Sequence, residues 1–156
     1  MSLWLCMATK DTPIEKVYEA WSAVADGRVD MNPQSDASAG SAVVTSSDRN
    51  KSYKVTWRDG GDVFTSTDPA TFWQGYPGYP VIAVLMALGR LPLDDALAAQ
   101  YRGVNWTQLN AAHRRDYTAA VAEVNENRGI DAKKSCEAAQ KVAEGLKNLK
   151  IVIKRK

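Results

Sequence analysis

The sequence predicts an α+β domain: an N-terminal helix, a three-stranded antiparallel β-meander, then a cluster of about four helices and a short C-terminal strand. Three observations carry this expectation. Thr12-Pro13-Ile14-Glu15 is a helix-start signal followed by apolar residues at helical spacing. Two runs of alternating residues flank Asp59-Gly60. Beyond Asp68 the alternation ends, and helix start and stop residues recur through the rest of the chain.

The first helix opens with Thr12 as N-cap, Pro13 at N1 and Glu15 at N3, so that Thr and Glu satisfy orphan amides reciprocally. Ile14, Val17, Tyr18, Trp21, Val24 and Ala25 form one apolar stripe. Gly27 stops the helix, since it enters the left-handed region without a Cβ penalty. Residues 28–40 are polar and rich in small side chains and read as a long loop, with Val29 and Met31 briefly extended.

Three strands follow, over residues 42–46, 51–57 and 62–67. In the second, Tyr53, Val55 and Trp57 alternate with Lys54 and Thr56. Asp59-Gly60 is a hairpin turn of the primed kind, which needs positive φ. In the third, Val63, Thr65 and Thr67 oppose Phe64 and Ser66, and aromatics bury one face of the meander.

Asp68 and Pro69 open a short turn through Trp73, and residues 75–80 form a Gly/Pro/Tyr connector. Residues 80–88 are apolar all round, so that helix belongs at the centre of the fold, and Gly89 ends it. A further helix spans residues 92–102, with Leu93, Ala96, Leu97 and Tyr101 inward. Asn105 and Gln108 make a capping box, with Val104 and Leu109 as a hydrophobic staple, for a helix running to about Asn127. Asp131 caps a last helix lined by Ala132, Cys136, Ala139, Val142, Ala143, Leu146 and Leu149. Ile151-Val152-Ile153 is β-branched and reads as a closing strand, with Leu3-Trp4-Leu5 as its partner. Trp21, Trp57, Val84 and Leu88 are expected to share one core with Val17 and Val121. Residues 1–130 read as a compact α+β domain, and residues 131–156 as a basic helix and strand packed on it.

The 156 residues are 45% hydrophobic and 24% charged, a globular balance that excludes wholesale disorder. The formal charge of +2 is too small to demand a nucleic-acid or membrane partner. Its distribution is uneven: residues 1–130 carry 12 basic and 15 acidic side chains, residues 131–156 carry 8 and 3. The basic end reads as a solvated helix face with a solubilising tail, or as a surface attracting an acidic partner. No apolar run is long enough to span a bilayer, and the first residues lack a basic n-region, so a cytoplasmic protein is expected. Cys6 and Cys136 have neither disulfide-framework nor zinc spacing and read as reduced core thiols. The sequons at Asn50 and Asn105 read as chance or as capping chemistry.

Enzymatic motifs are sparse. The sequence has no Walker loop, GxGxxG, GxSxG or HExxH. His113, the one histidine, lies among Leu109, Ala112 and Tyr117 and reads as a packed residue, with Asp116 too poorly directed to orient it. Asp94 and Asp95 read as first-turn acids complementing a helix dipole. No cofactor and no metal site is implied.

Residues 72–80 (Phe-Trp-Gln-Gly-Tyr-Pro-Gly-Tyr-Pro) put four aromatics on a stiff Gly/Pro backbone beside a helix N-terminus. The segment is either a core corner or a binding surface. As a surface, Trp73, Gln74, Tyr76 and Tyr79 contact a ligand or partner. The leading expectation for function is accordingly a non-enzymatic binding or interaction domain, with a protein partner or self-association.

Residues 93–117 resemble a helix-turn-helix in spacing, around Gly103-Val104-Asn105. That resemblance implies nucleic-acid binding through Gln108, Arg114 and Arg115, with Lys154 and Arg155 nearby. Arg102 at a turn-facing position and the near-neutral charge count against it. A third expectation is a small enzyme acting through carboxylates or His113.

Overall fold

The structure is a computed structural model and describes residues 11–156. Strands β1 (Val29–Met31), β2 (Gly40–Thr45), β3 (Ser52–Arg58) and β4 (Val63–Ser66) pair antiparallel in chain order. Strand β5 (Val152–Ile153) joins β4 in parallel. The sheet is therefore five-stranded and mixed, where the sequence predicts an antiparallel meander of three and a short closing strand; β5 is that closing strand, and its pairing with β4 is what makes the sheet mixed. Parallel pairing needs a long crossover, and the whole helical half of the chain supplies it between β4 and β5. The extra strand β1 comes from the expected loop: Val29 and Met31 lie opposite Val44 and Ala42 and share their inner face. The expected pairing of β5 with Leu3-Trp4-Leu5 falls outside the described residues, as does Cys6.

The inner face of the sheet carries Ala42, Val44, Val55, Trp57 and Phe64, all buried. Trp57 stacks on Phe64 with ring centroids 5.8 Å apart, and its indole N–H donates to the Asp36 carbonyl at 2.7 Å. Asp59 and Gly60 both adopt positive φ, and Gly61 N–H returns to the Arg58 carbonyl at 3.1 Å, which is the expected primed turn.

The helices are α1 (Glu15–Ala25), α2 (Tyr79–Ala87), α3 (Asp95–Ala99), α4 (Trp106–Ala112), α5 (Tyr117–Arg128) and α6 (Ala132–Leu149). Helix α2, apolar on every side, sits between the sheet and α1, and Val81 through Leu85 have no exposure. Helix α1 is then enclosed by α2, α3, α5 and α6. This overturns the single stripe expected of it: Lys16, Glu19 and Ser22 are buried along with Val17, Tyr18 and Trp21. The Trp21 ring stacks on Tyr101 at 5.6 Å, and Tyr18 meets both edge-on. Val84, Val121 and Val17 share this core and Leu88 packs against it half-buried.

Three helix boundaries differ from expectation for local reasons. Thr12 does not cap α1, because its hydroxyl donates to the Pro77 carbonyl at 2.8 Å; Lys16 N–H and Val17 N–H instead reach Pro13 and Ile14 carbonyls. Helix α3 is short and starts after Asp94, whose carboxylate accepts from Leu97 N–H at 3.1 Å. The long helix expected to run to Asn127 breaks into α4 and α5. Arg114 and Arg115 take φ of 53° and 68°, and Asp116 restarts the helix by accepting from Ala119 N–H. Asn105 and Asp131 cap α4 and α6 as expected. On α6 the buried row is Ser135, Ala139, Val142 and Leu146, which leaves Cys136 on its flank, half-buried rather than in the core. No helix among the described residues is long and apolar enough to cross a membrane.

Candidate functional site

The segment after β4 turns tightly because its polar side chains bond its own backbone. Asp68 Oδ2 accepts from Thr71 N–H at 3.1 Å, and the Ser66 hydroxyl bonds the other carboxylate oxygen. Residues Ala70–Gln74 form a single π-helical turn, closed by Gly75 at φ 80°. Gly78 N–H then donates to Thr71 Oγ1 at 2.9 Å. A Cβ at Gly78 would collide with the Asp68 carboxylate, so any side chain there forces the corner to shift.

This folding aims Trp73, Gln74, Tyr76 and Tyr79 at one cavity of about 440 Å³. The volume lies within the range of small-molecule sites. Tyr76 and Tyr79 are half-buried in its wall, and Tyr79 meets Tyr53 edge-on at 6.4 Å. Trp73 stands at the rim, 67% exposed. Phe72 supports its ring edge-on at 4.8 Å, and the Arg155 guanidinium lies 5.3 Å from Phe72 and 5.5 Å from Trp73. Arg155 also donates from Nε to the Phe72 carbonyl at 2.9 Å, so the basic tail braces the aromatic corner.

The floor comes from α1. Lys16 Nζ lies 3.3 Å from Glu19 Oε2 and 4.3 Å from the centre of the Tyr117 ring, and both side chains are at least nine-tenths buried. Burial pushes the Glu19 carboxyl above the usual carboxylate range, against the pull of the Lys16 ammonium and a hydrogen bond from Asn110. Burial alone would lower Lys16, but Glu19, Tyr117 and Tyr76 together raise it. Burial also raises the Tyr53, Tyr76 and Tyr79 phenols, so the tyrosine wall presents neutral hydroxyls.

The far wall joins two distant segments. Arg28 follows α1, is 3% exposed, and donates from Nε to Asp26 Oδ2 at 3.1 Å and from Nη1 to the Thr45 carbonyl at 2.6 Å. Its Nη2 has no partner. Trp106 and Asn110 come from α4, and the Asn110 Oδ1 is likewise buried without a partner. The lining thus offers aromatic faces, one unspent charged donor and one unspent acceptor.

The four aromatic-corner residues named from sequence thus meet at one cavity. The nucleic-acid set does not assemble in that way. Arg115 lines the cavity, whereas Arg114 is exposed beside it, Gln108 borders a separate depression with Glu123 and Arg128, and Lys154 lies exposed on the tail. His113 Nε2 faces Glu123 Oε1 at 3.0 Å, not Asp116, and lies outside the cavity lining. Among the described residues no group of three or more His, Cys, Asp or Glu is placed to hold a metal. Sequence reasoning missed Lys16, Glu19, Arg28 and Asn110. The one available signal was the Lys16/Glu19 pair, three apart within a run otherwise dense in apolar and small residues.

No curated protein and no solved structure matches the chain significantly. A family model described as uncharacterised conserved protein UCP014422 matches residues 9–152, a span that includes every residue lining the cavity. The chain belongs to that family, uncharacterised conserved protein UCP014422.

Proposed function

We propose that the protein is a non-enzymatic binding module that takes a small organic ligand in the cavity behind the aromatic corner. One observation carries the reading: the cavity combines aromatic walls from Trp73, Tyr76, Tyr79 and Trp106 with a buried Arg28 that keeps one donor unspent. Ligand binding satisfies that donor and covers the rings. The test is a calorimetric and tryptophan-fluorescence titration with a panel of small aromatic and heteroaromatic rings, their acids and their amides. Saturable binding that Tyr76→Ala abolishes, with melting temperature little changed, is expected. A panel in which nothing saturates at millimolar concentration rejects the reading.

A second reading, acid–base catalysis, is favoured by Glu19, a buried carboxyl held above its usual range inside the same cavity. Under it, Glu19→Gln removes turnover of a bound compound while binding persists. Under the binding reading no panel member is turned over.

The exposed Trp73 rim supports a protein partner or a second copy of the chain as what meets the mouth of the cavity. Exposed Arg114 and Lys154 support the nucleic-acid alternative, which a duplex-DNA titration at two salt concentrations tests. The proposed setting is the cytoplasm, in keeping with two cysteines that lack framework spacing.

A further inference from the structure

Only two buried side-chain polar atoms among the described residues lack a hydrogen-bond partner, Arg28 Nη2 and Asn110 Oδ1. Both residues line the same cavity, although one follows α1 and the other sits on α4. Buried polar groups are nearly always satisfied, so an orphan donor and an orphan acceptor in one cavity point to a ligand that supplies both missing partners.

The chemistry of that ligand follows from the lining. The orphan donor is a cation, which favours an anionic acceptor. The lining carries three basic side chains, Lys16, Arg28 and Arg115, against two carboxylates, Glu19 and Asp68. The Asp68 oxygens are already engaged by Ser66 and Thr71. Asp26 also pairs with Arg28, so the charges around the cavity already balance, and an acid is called for by the unspent Nη2 donor rather than by net charge. The orphan acceptor on Asn110 needs a donor hydrogen, and the donor that a flat aromatic body carries within its ring is an N–H. The tyrosine and tryptophan walls require a flat body.

We infer that the cavity takes a planar nitrogen heterocycle bearing one carboxylate, with the carboxylate on Arg28 Nη2 and the ring N–H on Asn110 Oδ1. This rests on the binding reading above and narrows it to one ligand class.

The experiment uses the full chain and matched probes in isothermal titration: indole-2-carboxylate and pyrrole-2-carboxylate, their N-methyl derivatives, and the parent rings indole and pyrrole. N-methylation and loss of the carboxylate should each weaken binding by about tenfold or more. Asn110→Leu should abolish the penalty for N-methylation while keeping the preference for acids. Arg28→Lys should reduce the preference for acids. Because Arg28 also ties Asp26 to Thr45, the Asn110 variant at its half-buried position is the primary one. Equal affinity for the acids, their N-methyl forms and the parent rings overturns the assigned class and leaves the binding reading standing. It would mean that the two orphan atoms stay unsatisfied in the complex. An N-methyl penalty that persists in Asn110→Leu also overturns the assignment. Failure of every probe to saturate, parent rings included, removes the binding reading itself.

Discussion

The Trp106 indole N–H donates to Ser22 Oγ at 2.8 Å, across 84 positions of sequence. The Ser22 hydroxyl in turn donates to the Tyr101 carbonyl at 2.6 Å. This buried relay ties α4, which carries Trp106 and Asn110, to α1, which carries Lys16 and Glu19. Both helices line the cavity, so this tie links two of its walls.

Ser22→Ala is therefore expected to strand a buried indole N–H and a buried carbonyl together. The predicted loss is about 2–4 kcal/mol in urea unfolding, because an unsatisfied buried group costs far more than an average hydrogen bond contributes. A loss below about 1 kcal/mol would show that the relay carries little.

Stability should fall steeply in alkali. The Tyr101 phenol has no exposure, donates to Asn125 Oδ1 at 2.6 Å, and is pushed up to about 12 by burial, from an ordinary value of 10.0. The folded state holds this proton more tightly than the unfolded chain does. Its contribution is thus complete below pH 10 and is lost as pH rises toward about 12. Tyr79 is raised in the same direction. Denaturation midpoints should hold steady up to about pH 10 and drop beyond it. Tyr101→Phe should flatten that drop while lowering the neutral-pH baseline by about 1–2 kcal/mol, since Asn125 loses its donor. An unchanged slope would mean that Tyr101 titrates without unfolding.

Gly75 and Gly78 lie three residues apart yet should respond differently to alanine. Gly75 has φ of 80° and nothing within 4 Å of an added Cβ, so Gly75→Ala strains only the backbone, by about 1 kcal/mol. At Gly78 an added Cβ meets the Asp68 carboxylate, and also Thr71 Oγ1 at 3.1 Å. Gly78→Ala should cost about 1–3 kcal/mol and weaken aromatic-acid binding, because the corner must move to admit it. Thermal unfolding and titration of both variants check the contrast, and unaltered ligand binding in Gly78→Ala would count against the corner as a cavity wall.

Arg155→Ala removes the guanidinium from above Phe72 and Trp73. The site is exposed, so the stability change should stay below about 1 kcal/mol. The effect belongs to the rim: Trp73 gains rotational freedom, its fluorescence anisotropy falls, and ring binding weakens a few-fold. Trp73 anisotropy, read against a Trp73→Phe control to isolate its signal, tests this. No change in anisotropy would mean that Phe72 alone holds the ring.

Much of the fold was legible because it is local. Asn105 and Asp131 reach amides three residues on, so the starts of α4 and α6 need no knowledge of distant chain. The alternation of Tyr53, Val55 and Trp57 and the all-apolar α2 announced which faces are buried. The aromatic corner was legible too, since Gly, Pro and aromatic residues adjacent in sequence are necessarily adjacent in space. Even so, reading the starts was easier than reading the breaks. Asp116 offers a cap inside a run with helical spacing, and it competes successfully only because Arg114 and Arg115 enter the left-handed region before it.

The charged half of the site depended on the tertiary structure. Lys16 and Glu19 look like solvent-facing residues until α2, α3, α5 and α6 close around α1. Arg28 looks like a loop residue until β2 presents the Thr45 carbonyl to it. The parallel pairing of β5 with β4 likewise depends on where a long crossover returns the chain. A cap is decided by competition within a few residues, so the amino-acid sequence displays it directly. The burial of a charge is decided by which elements pack beside it, and for Lys16, Glu19, Arg28 and Asn110 those elements lie far apart in the chain.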